Sequence, residues 1–163
     1  MKNEKDAKRL VVNHEGRRAL VYRDSLGHPT IGVGFNLDRS GAPQALAAIG
    51  VDYNAVAHNG VALTDQQIDE LFEADFAKAL ESATIVCPSF NGLSEGAQAV
   101  LVDMAFQLGI GDLRQFHNFL MALEAKDYAT AAYEMCNSKL AIQTPHRVVD
   151  NVMGLLRPLR QVA

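Results

Sequence analysis

The sequence predicts an α+β fold that is mostly helical, with a small β-containing region near the N-terminus. Three observations carry this. Gly16, Gly27, Gly32, Gly34, Gly41, Gly50 and Gly60, seven of the twelve glycines, fall before residue 61 and are interleaved with short β-prone runs. From residue 64 onward, apolar residues recur at the three- and four-residue spacing of helices. Cap residues and Gly or Pro stops punctuate those helical stretches.

The elements follow in order. Asn3 is placed to cap a first helix whose Ala7, Leu10, Val11 and His14 share one face, with Gly16 as its stop. Leu20 to Arg23 is β-prone, Asp24-Ser25-Leu26-Gly27 is a turn signal, and Thr30 to Phe35 reads as the returning strand. One more short strand is expected around 36–40, then a short helix from Pro43 to Ile49 stopped by Gly50. Thr64-Asp65-Gln66-Gln67 fits a capping box. It opens a long helix with Ile68, Leu71, Phe72, Phe76, Ala79, Leu80 and Ala83 on one stripe, ended by Pro88. Four further helices are expected: Ser94 to Leu108 with stops at Gly109 and Gly111, then 113–125, then 127–138, and a last one capped by Thr144, with Pro145 at its first position, ending before Pro158. One helix as long as that between Thr64 and Pro88, in a chain of 163 residues, suggests two lobes that share it.

Composition narrows the function. With 48% apolar and 21% charged residues the chain is ordinary globular protein, not a disordered segment. No apolar run reaches membrane-span length, and the lysine-rich start lacks the apolar core of a secretory signal. The net charge of −4 argues against nucleic acid as partner. The charge is uneven: residues 1–24 hold seven basic and four acidic side chains, 139–163 hold four and one, and the acidic excess lies between. Cys87 and Cys136 make no disulfide framework and read as reduced core residues. No metal-ligand spacing is present, and neither metal nor cofactor is expected.

Candidate chemistry lies in the glycine-rich region. Glu15 stands at a helix end, Asp24 at a hairpin turn and Thr30 at the start of the returning strand. Glycoside hydrolysis needs two carboxyl groups with different tasks: a protonated one to donate to the leaving oxygen, and an ionised one to hold or activate water or to attack carbon. A carboxyl at the end of an apolar helix can be desolvated and stay protonated, whereas one in a polar turn stays ionised. Thr30 adds a hydroxyl that could position water. The spacing alone is weak. Asp24 reads equally well as a turn residue bonding its own backbone, Glu15 as a solvated helix end and Thr30 as simple β propensity.

The surrounding string is more specific. Glu15-Gly16, Tyr22-Arg23-Asp24 and Gly27-His28-Pro29-Thr30-Ile31-Gly32-Val33-Gly34 follow the E-G, Y-x-D, G-x-x-T-I-G-x-G pattern of phage-type lysozymes, and the chain resembles that glycoside hydrolase family, the T-even phage endolysins above all. Leu63-Thr64-Asp65 with Leu71-Phe72 is similar to the family's lobe-connecting helix. Asp103-Met104-Ala105-Phe106-Gln107-Leu108-Gly109 is similar to its N/D-M-x-F-Q-x-G helix. Phe116-His117-Asn118 and Gln143-Thr144-Pro145-His146-Arg147 match its cleft-lining and final-helix signatures. The resemblance covers about residues 4–157.

It implies a two-lobed lysozyme domain over 1–163: a small β-containing lobe at 15–64, a connecting helix at 65–87, and a helical lobe at 88–163 on which helix 1–14 packs. It implies a muramidase that hydrolyses the β-1,4 bond between N-acetylmuramic acid and N-acetylglucosamine in peptidoglycan. Glu15 would be the general acid, and Asp24 would bind or activate the water with Thr30 holding it. Phe35, Phe106, Gln107, Asn118, Gln143 and Arg147 would contact substrate. Arg147 matches an arginine near the general acid, and a charge pair with Glu15 would oppose the effect of desolvation. The family mechanism is usually inverting, with carboxyl groups roughly 6.5–9.5 Å apart around a water. The implied protein is a monomer without stable membrane insertion or a separate wall-binding domain. It would be made in the cytoplasm of an infected bacterium and released to the wall in the periplasm through a holin.

Two departures stand out. Phe35 occupies a position where many members have His, which can pair with an Asp on the long helix, here Asp75. That pair cannot form, so Asp75 is left to solvent or to another partner, and an acid-sensitive stability term should be missing. After Ser138 the chain has Lys139-Leu140-Ala141-Ile142 in place of a basic-aromatic run, which changes the expected contacts to substrate peptide. Two other functions compete: a lytic transglycosylase, which needs an acid but no water-positioning carboxylate, and a noncatalytic wall-binding or phage-structural module. The joint presence of Glu15, Asp24 and Thr30 argues against both.

Overall fold

A computed structural model describes residues 1–24 and 27–157. Its elements in chain order are α1 (Glu4–Glu15), β1 (Arg18–Arg23), β2 (Pro29–Gly32), β3 (Phe35–Asn36), α2 (Ala42–Ala48), α3 (Tyr53–Ala57), α4 (Asp65–Val86), a 3₁₀ turn (Phe90–Gly92), α5 (Glu95–Leu113), α6 (His117–Glu124), α7 (Tyr128–Cys136), α8 (Leu140–Gln143) and α9 (Pro145–Leu156). The fold is the mostly helical α+β arrangement expected. The chain forms two compact units, residues 12–77 and residues 1–11 with 78–163.

The unit of residues 12–77 is built on a three-stranded antiparallel sheet in the order β1-β2-β3. Tyr22 pairs with Thr30 and Arg23 with Pro29, Thr30 and Ile31 pair with Asn36 and Phe35, and an irregularity in β1 lies between Arg18 and Tyr22. The expected strand from Thr30 to Phe35 is therefore two strands: Gly32 and Gly34 take φ of 64° and 65°, which turns the chain between them. Of the expected turn at 24–27, Ser25 and Leu26 lie outside the described residues, while Gly27 N–H donates to Asp24 O at 3.0 Å. Ile31, Phe35, Leu37, Leu46, Val56, Ile68 and Phe76 are almost fully buried and form the core of the unit. The capping box forms as expected: Thr64 N–H donates to Gln67 Oε1 at 2.9 Å and Gln67 N–H to Thr64 Oγ1 at 3.2 Å. The helix α3 has no counterpart in the apolar periodicity. It is a single turn started by Asp52, whose carboxylate accepts from Ala55 N–H at 2.8 Å.

In the helical unit α5 is the centre. Residues 97–105 are buried throughout, which leaves no polar face for a periodicity argument to detect. Ser94 caps it, accepting from Ala97 N–H at 3.1 Å. Gly109, at φ 69° and ψ 169°, breaks the helix where the stop was expected, and one further turn reaches Leu113. The next helix consequently begins at His117 rather than 113. Gly96 and Gly154 let α5 and α9 cross at backbone contact, because a Cβ on Gly96 would collide with the Gly154 carbonyl. Asn3 accepts from Asp6 N–H at 3.2 Å and starts α1 as expected. Lys2 ties the N-terminus to this unit through Gln98 Oε1 and Leu93 O. Thr144 precedes α9 but makes no side-chain cap bond; its hydroxyl donates to Leu140 O at 3.3 Å, which closes α8, a turn the sequence reading missed. Both cysteines are free, with Cys87 buried but Cys136 exposed at the end of α7, so only the first is a core residue. No helix among the described residues is long and apolar enough to cross a membrane.

Candidate active site

Glu15 is the last residue of α1, and Gly16 at φ 76° turns the chain away while its N–H closes the helix on Val12 O at 2.9 Å. The half-buried Glu15 carboxyl lies against Gly34: a Cβ built there would be 2.7 Å from Glu15 Oε2. The second glycine of the T-I-G-x-G string thus leaves the room that the carboxyl fills. Arg17 anchors the chain just beyond, donating to Asp69 Oδ1 at 2.6 Å and to Asp65 O and Oδ1 at 3.1 Å.

Asp24 follows β1. Its Oδ1 accepts from His28 N–H at 2.8 Å, and its backbone N–H donates to His28 O at 3.0 Å, so the carboxylate is fixed by the turn it opens. A turn role and a chemical role are therefore compatible in one side chain. Thr30, 2% exposed, donates its hydroxyl to His28 O at 3.1 Å. That leaves the Thr30 oxygen as a hydrogen-bond acceptor.

Tyr22 connects these residues. It stands opposite Thr30 in the β1–β2 register, and directly opposed antiparallel residues project from the same sheet face. The Arg18 guanidinium lies 5.2 Å from its ring centroid. Burial pushes the Tyr22 phenol above its usual range, and the negative charges of Glu15 and Asp24 add to that against the opposing pull of Arg18. One phenol thus feels both carboxylates. Tyr22 has no task in the Y-x-D string itself; the sequence signal for its place here is its two-residue offset from Asp24, which keeps alternate residues of an extended strand on one face.

The other candidate residues are placed as follows. Phe35 is 1% exposed and belongs to the core of the sheet unit, with the Arg39 guanidinium 3.9 Å above its ring. Arg39 also makes a two-pronged ion pair with Asp75, Nη1 to Oδ2 at 2.7 Å and Nη2 to Oδ1 at 2.9 Å. Of the two alternatives left to Asp75, solvent or another partner, the structure shows the second, with Arg39 as the partner and Phe35 as the platform for it. In the helical unit Gln107 donates to Thr144 Oγ1 at 3.3 Å, beside Gln143, while Phe106 is half-buried on α5. Asn118 is exposed, donates to Glu134 Oε2 at 3.3 Å and lines an open pocket of about 290 Å³ with Phe116 and Asn137. Arg147 is 9% exposed and binds the buried Asp103 carboxylate, Nε to Oδ2 at 2.9 Å and Nη2 to Oδ1 at 2.8 Å. Asn151 adds a third donor to Asp103 at 2.8 Å. Asp103 was legible only as a motif letter, since nothing local predicts that a carboxylate on the most buried helix meets an arginine 44 residues later.

Several basic residues of the chain ends are neutralised locally: Lys8 by Glu4, Arg9 by Asp6, Arg17 by Asp65 and Asp69, Arg147 by Asp103. Arg160 lies outside the described residues. Among the described residues no cluster of three His, Cys, Asp or Glu side chains could hold a metal.

Comparison with known proteins gives the same direction as the motifs. "Probable T4-type lysozyme 1" and "Probable T4-type lysozyme 2" of Dictyostelium discoideum are each 30% identical over 141 residues, covering 82% of this chain and 83% of theirs. The "Pre-baseplate central spike protein Gp5" of Enterobacteria phage T4 is 31% identical over 125 residues, 72% of this chain but 22% of that protein. The "Peptidoglycan hydrolase gp36" of Pseudomonas phage phiKMV is 28% identical over 133 residues, 13% of its length. The family model for phage lysozyme matches residues 12–154, which includes Glu15, Asp24 and Thr30 and most of both units, and the chain belongs to the phage lysozyme family.

Proposed function

We propose that this protein is a peptidoglycan hydrolase of the muramidase type, cleaving the β-1,4 bond between N-acetylmuramic acid and N-acetylglucosamine and so lysing bacterial cells. Family membership supports hydrolysis of peptidoglycan, and the joint influence of Glu15 and Asp24 on Tyr22, with Thr30 opposite it, supports the assignment of roles. Glu15 donates its proton to the glycosidic oxygen, and Asp24 accepts a proton from water that attacks the anomeric carbon. Thr30 contributes an oxygen that accepts the water's other hydrogen, because its own hydrogen is directed to His28 O. Phe106, Gln107, Asn118, Gln143 and Arg147 serve the substrate side, while Phe35 acts through Arg39 rather than by contact with sugar. The protein acts as a monomer on the wall after holin-dependent release from the bacterial cytoplasm.

The test is product analysis of purified peptidoglycan digested by wild type and Glu15→Gln. Reducing N-acetylmuramic acid ends are expected from wild type and none above background from the variant, with unchanged circular dichroism. Products with 1,6-anhydro ends would instead identify a transglycosylase, and undiminished turnover by Glu15→Gln would remove Glu15 from the mechanism.

A further inference from the structure

The hydrogen bond from Thr30 to His28 O has a consequence for the water. If Thr30 Oγ1 and the Asp24 carboxylate are both acceptors, they take the two hydrogens of a water placed between them. The water oxygen then keeps two lone pairs. One is directed at carbon, and the other requires a donor or remains unsatisfied in a partly buried site, which is costly. We infer that Tyr22 supplies that donor and is a further catalytic residue, its phenol O–H contacting the attacking water beside Asp24 and Thr30.

Four observations support this. Tyr22 is the register partner of Thr30, so both side chains share one sheet face. Asp24 lies two residues further along the same chain segment. Among the described residues no hydrogen bond engages the Tyr22 hydroxyl; the contact made by its side chain is with Arg18, which holds the ring rather than the O–H. Burial and the two neighbouring carboxylates keep the phenol protonated well beyond neutral pH, so it remains a donor throughout the reaction.

The inference rests on the hydrolytic reading above. In the step, the bond from water oxygen to the anomeric carbon forms and the bond from that carbon to the leaving oxygen breaks. The Glu15 proton passes to the leaving oxygen and one water proton passes to Asp24. Tyr22 keeps its proton and orients the nucleophile.

The experiment compares Tyr22→Phe, Thr30→Ala and the double variant on peptidoglycan, with Glu15→Gln alongside. Tyr22→Phe retains the ring, its burial and its stacking with Arg18, so a melting temperature near wild type is expected. Its kcat should fall about tenfold, the equivalent of one neutral hydrogen bond, with KM within about twofold. Because Tyr22 and Thr30 hold one water, the double variant should lose clearly less than the product of the single losses. Wild-type kcat in Tyr22→Phe, or losses that multiply in the double variant, would overturn the role of Tyr22. If Tyr22→Phe is fully active while Glu15→Gln is dead, this inference alone fails; if Glu15→Gln is active, the hydrolytic reading fails first.

Discussion

In the unit of residues 12–77 seven glycines adopt positive φ, whereas in the helical unit Gly109 is the single described glycine that does so. The charged groups differ as well. In the sheet unit Arg17 and Arg39 are partly exposed and bind carboxylates of α4. In the helical unit the ion pair of Arg147 with Asp103 is buried, and a third polar group, Asn151, completes it. The first unit therefore positions carboxyl groups by backbone turns. The second positions polar groups by packing them where water cannot compete. This predicts a division of labour: substitutions at turns in the sheet unit should damage catalysis more than stability, and substitutions in the buried polar cluster should do the reverse.

The largest effect is expected at Asp103. Asp103→Ala removes the buried carboxylate that accepts from both Arg147 and Asn151 and should cost about 3–5 kcal/mol of stability, read from urea unfolding. A variant of unchanged stability with lost activity would break the comparison. Next is Gly34→Ala. The residue would have to adopt φ of 65°, and its methyl carbon would sit 2.7 Å from Glu15 Oε2. Because the atom it meets is the end of a flexible side chain, the carboxyl moves and the backbone does not. The strain should cost about 1–2 kcal/mol, but displacing the acid by about 1 Å should lower kcat about a hundredfold. Measuring kcat and unfolding on the same preparation separates the two.

The smallest effect concerns Cys87. Burial pushes its thiol from 9.0 to about 11, with Glu124 nearby also raising it and the Ser89 hydrogen bond acting in the opposite direction. A thiol whose pKa is raised by folding leaves stability unaffected below the unfolded pKa and lowers it as pH rises from 9 to 11, because the unfolded chain loses the proton first. The loss should be about 1.4 kcal/mol at pH 10, and it should vanish in Cys87→Ala. Exposed Cys136 supplies the internal control, since it should react with a thiol reagent in the native protein while Cys87 waits for unfolding.

Much of the site was legible because it depends on local chemistry. Asn3, Thr64 and Ser94 cap helices through bonds that span three residues, and Gly16 and Gly34 occupy backbone conformations that other residues rarely adopt. Such features are written within a few positions of one another. Phe35 shows the limit. Its place in the motif suggested a substrate contact, but the structure buries it beneath Arg39, and the Arg39 link to Asp75 spans 36 residues. Cys136 and Cys87 had similar apolar contexts in sequence and opposite exposures in the fold.

The sequence alone determined the fold class, most of the helix boundaries and the three residues proposed for chemistry. Periodicity, caps and glycine geometry are short-range constraints that a chain carries before it folds. The tertiary structure decided which charge meets which, that Tyr22 faces Thr30, and that Gly34 makes room for the acid. Those depend on strand register and helix crossing, where residues far apart in the chain come within a few ångströms and burial makes each unpaired polar group costly.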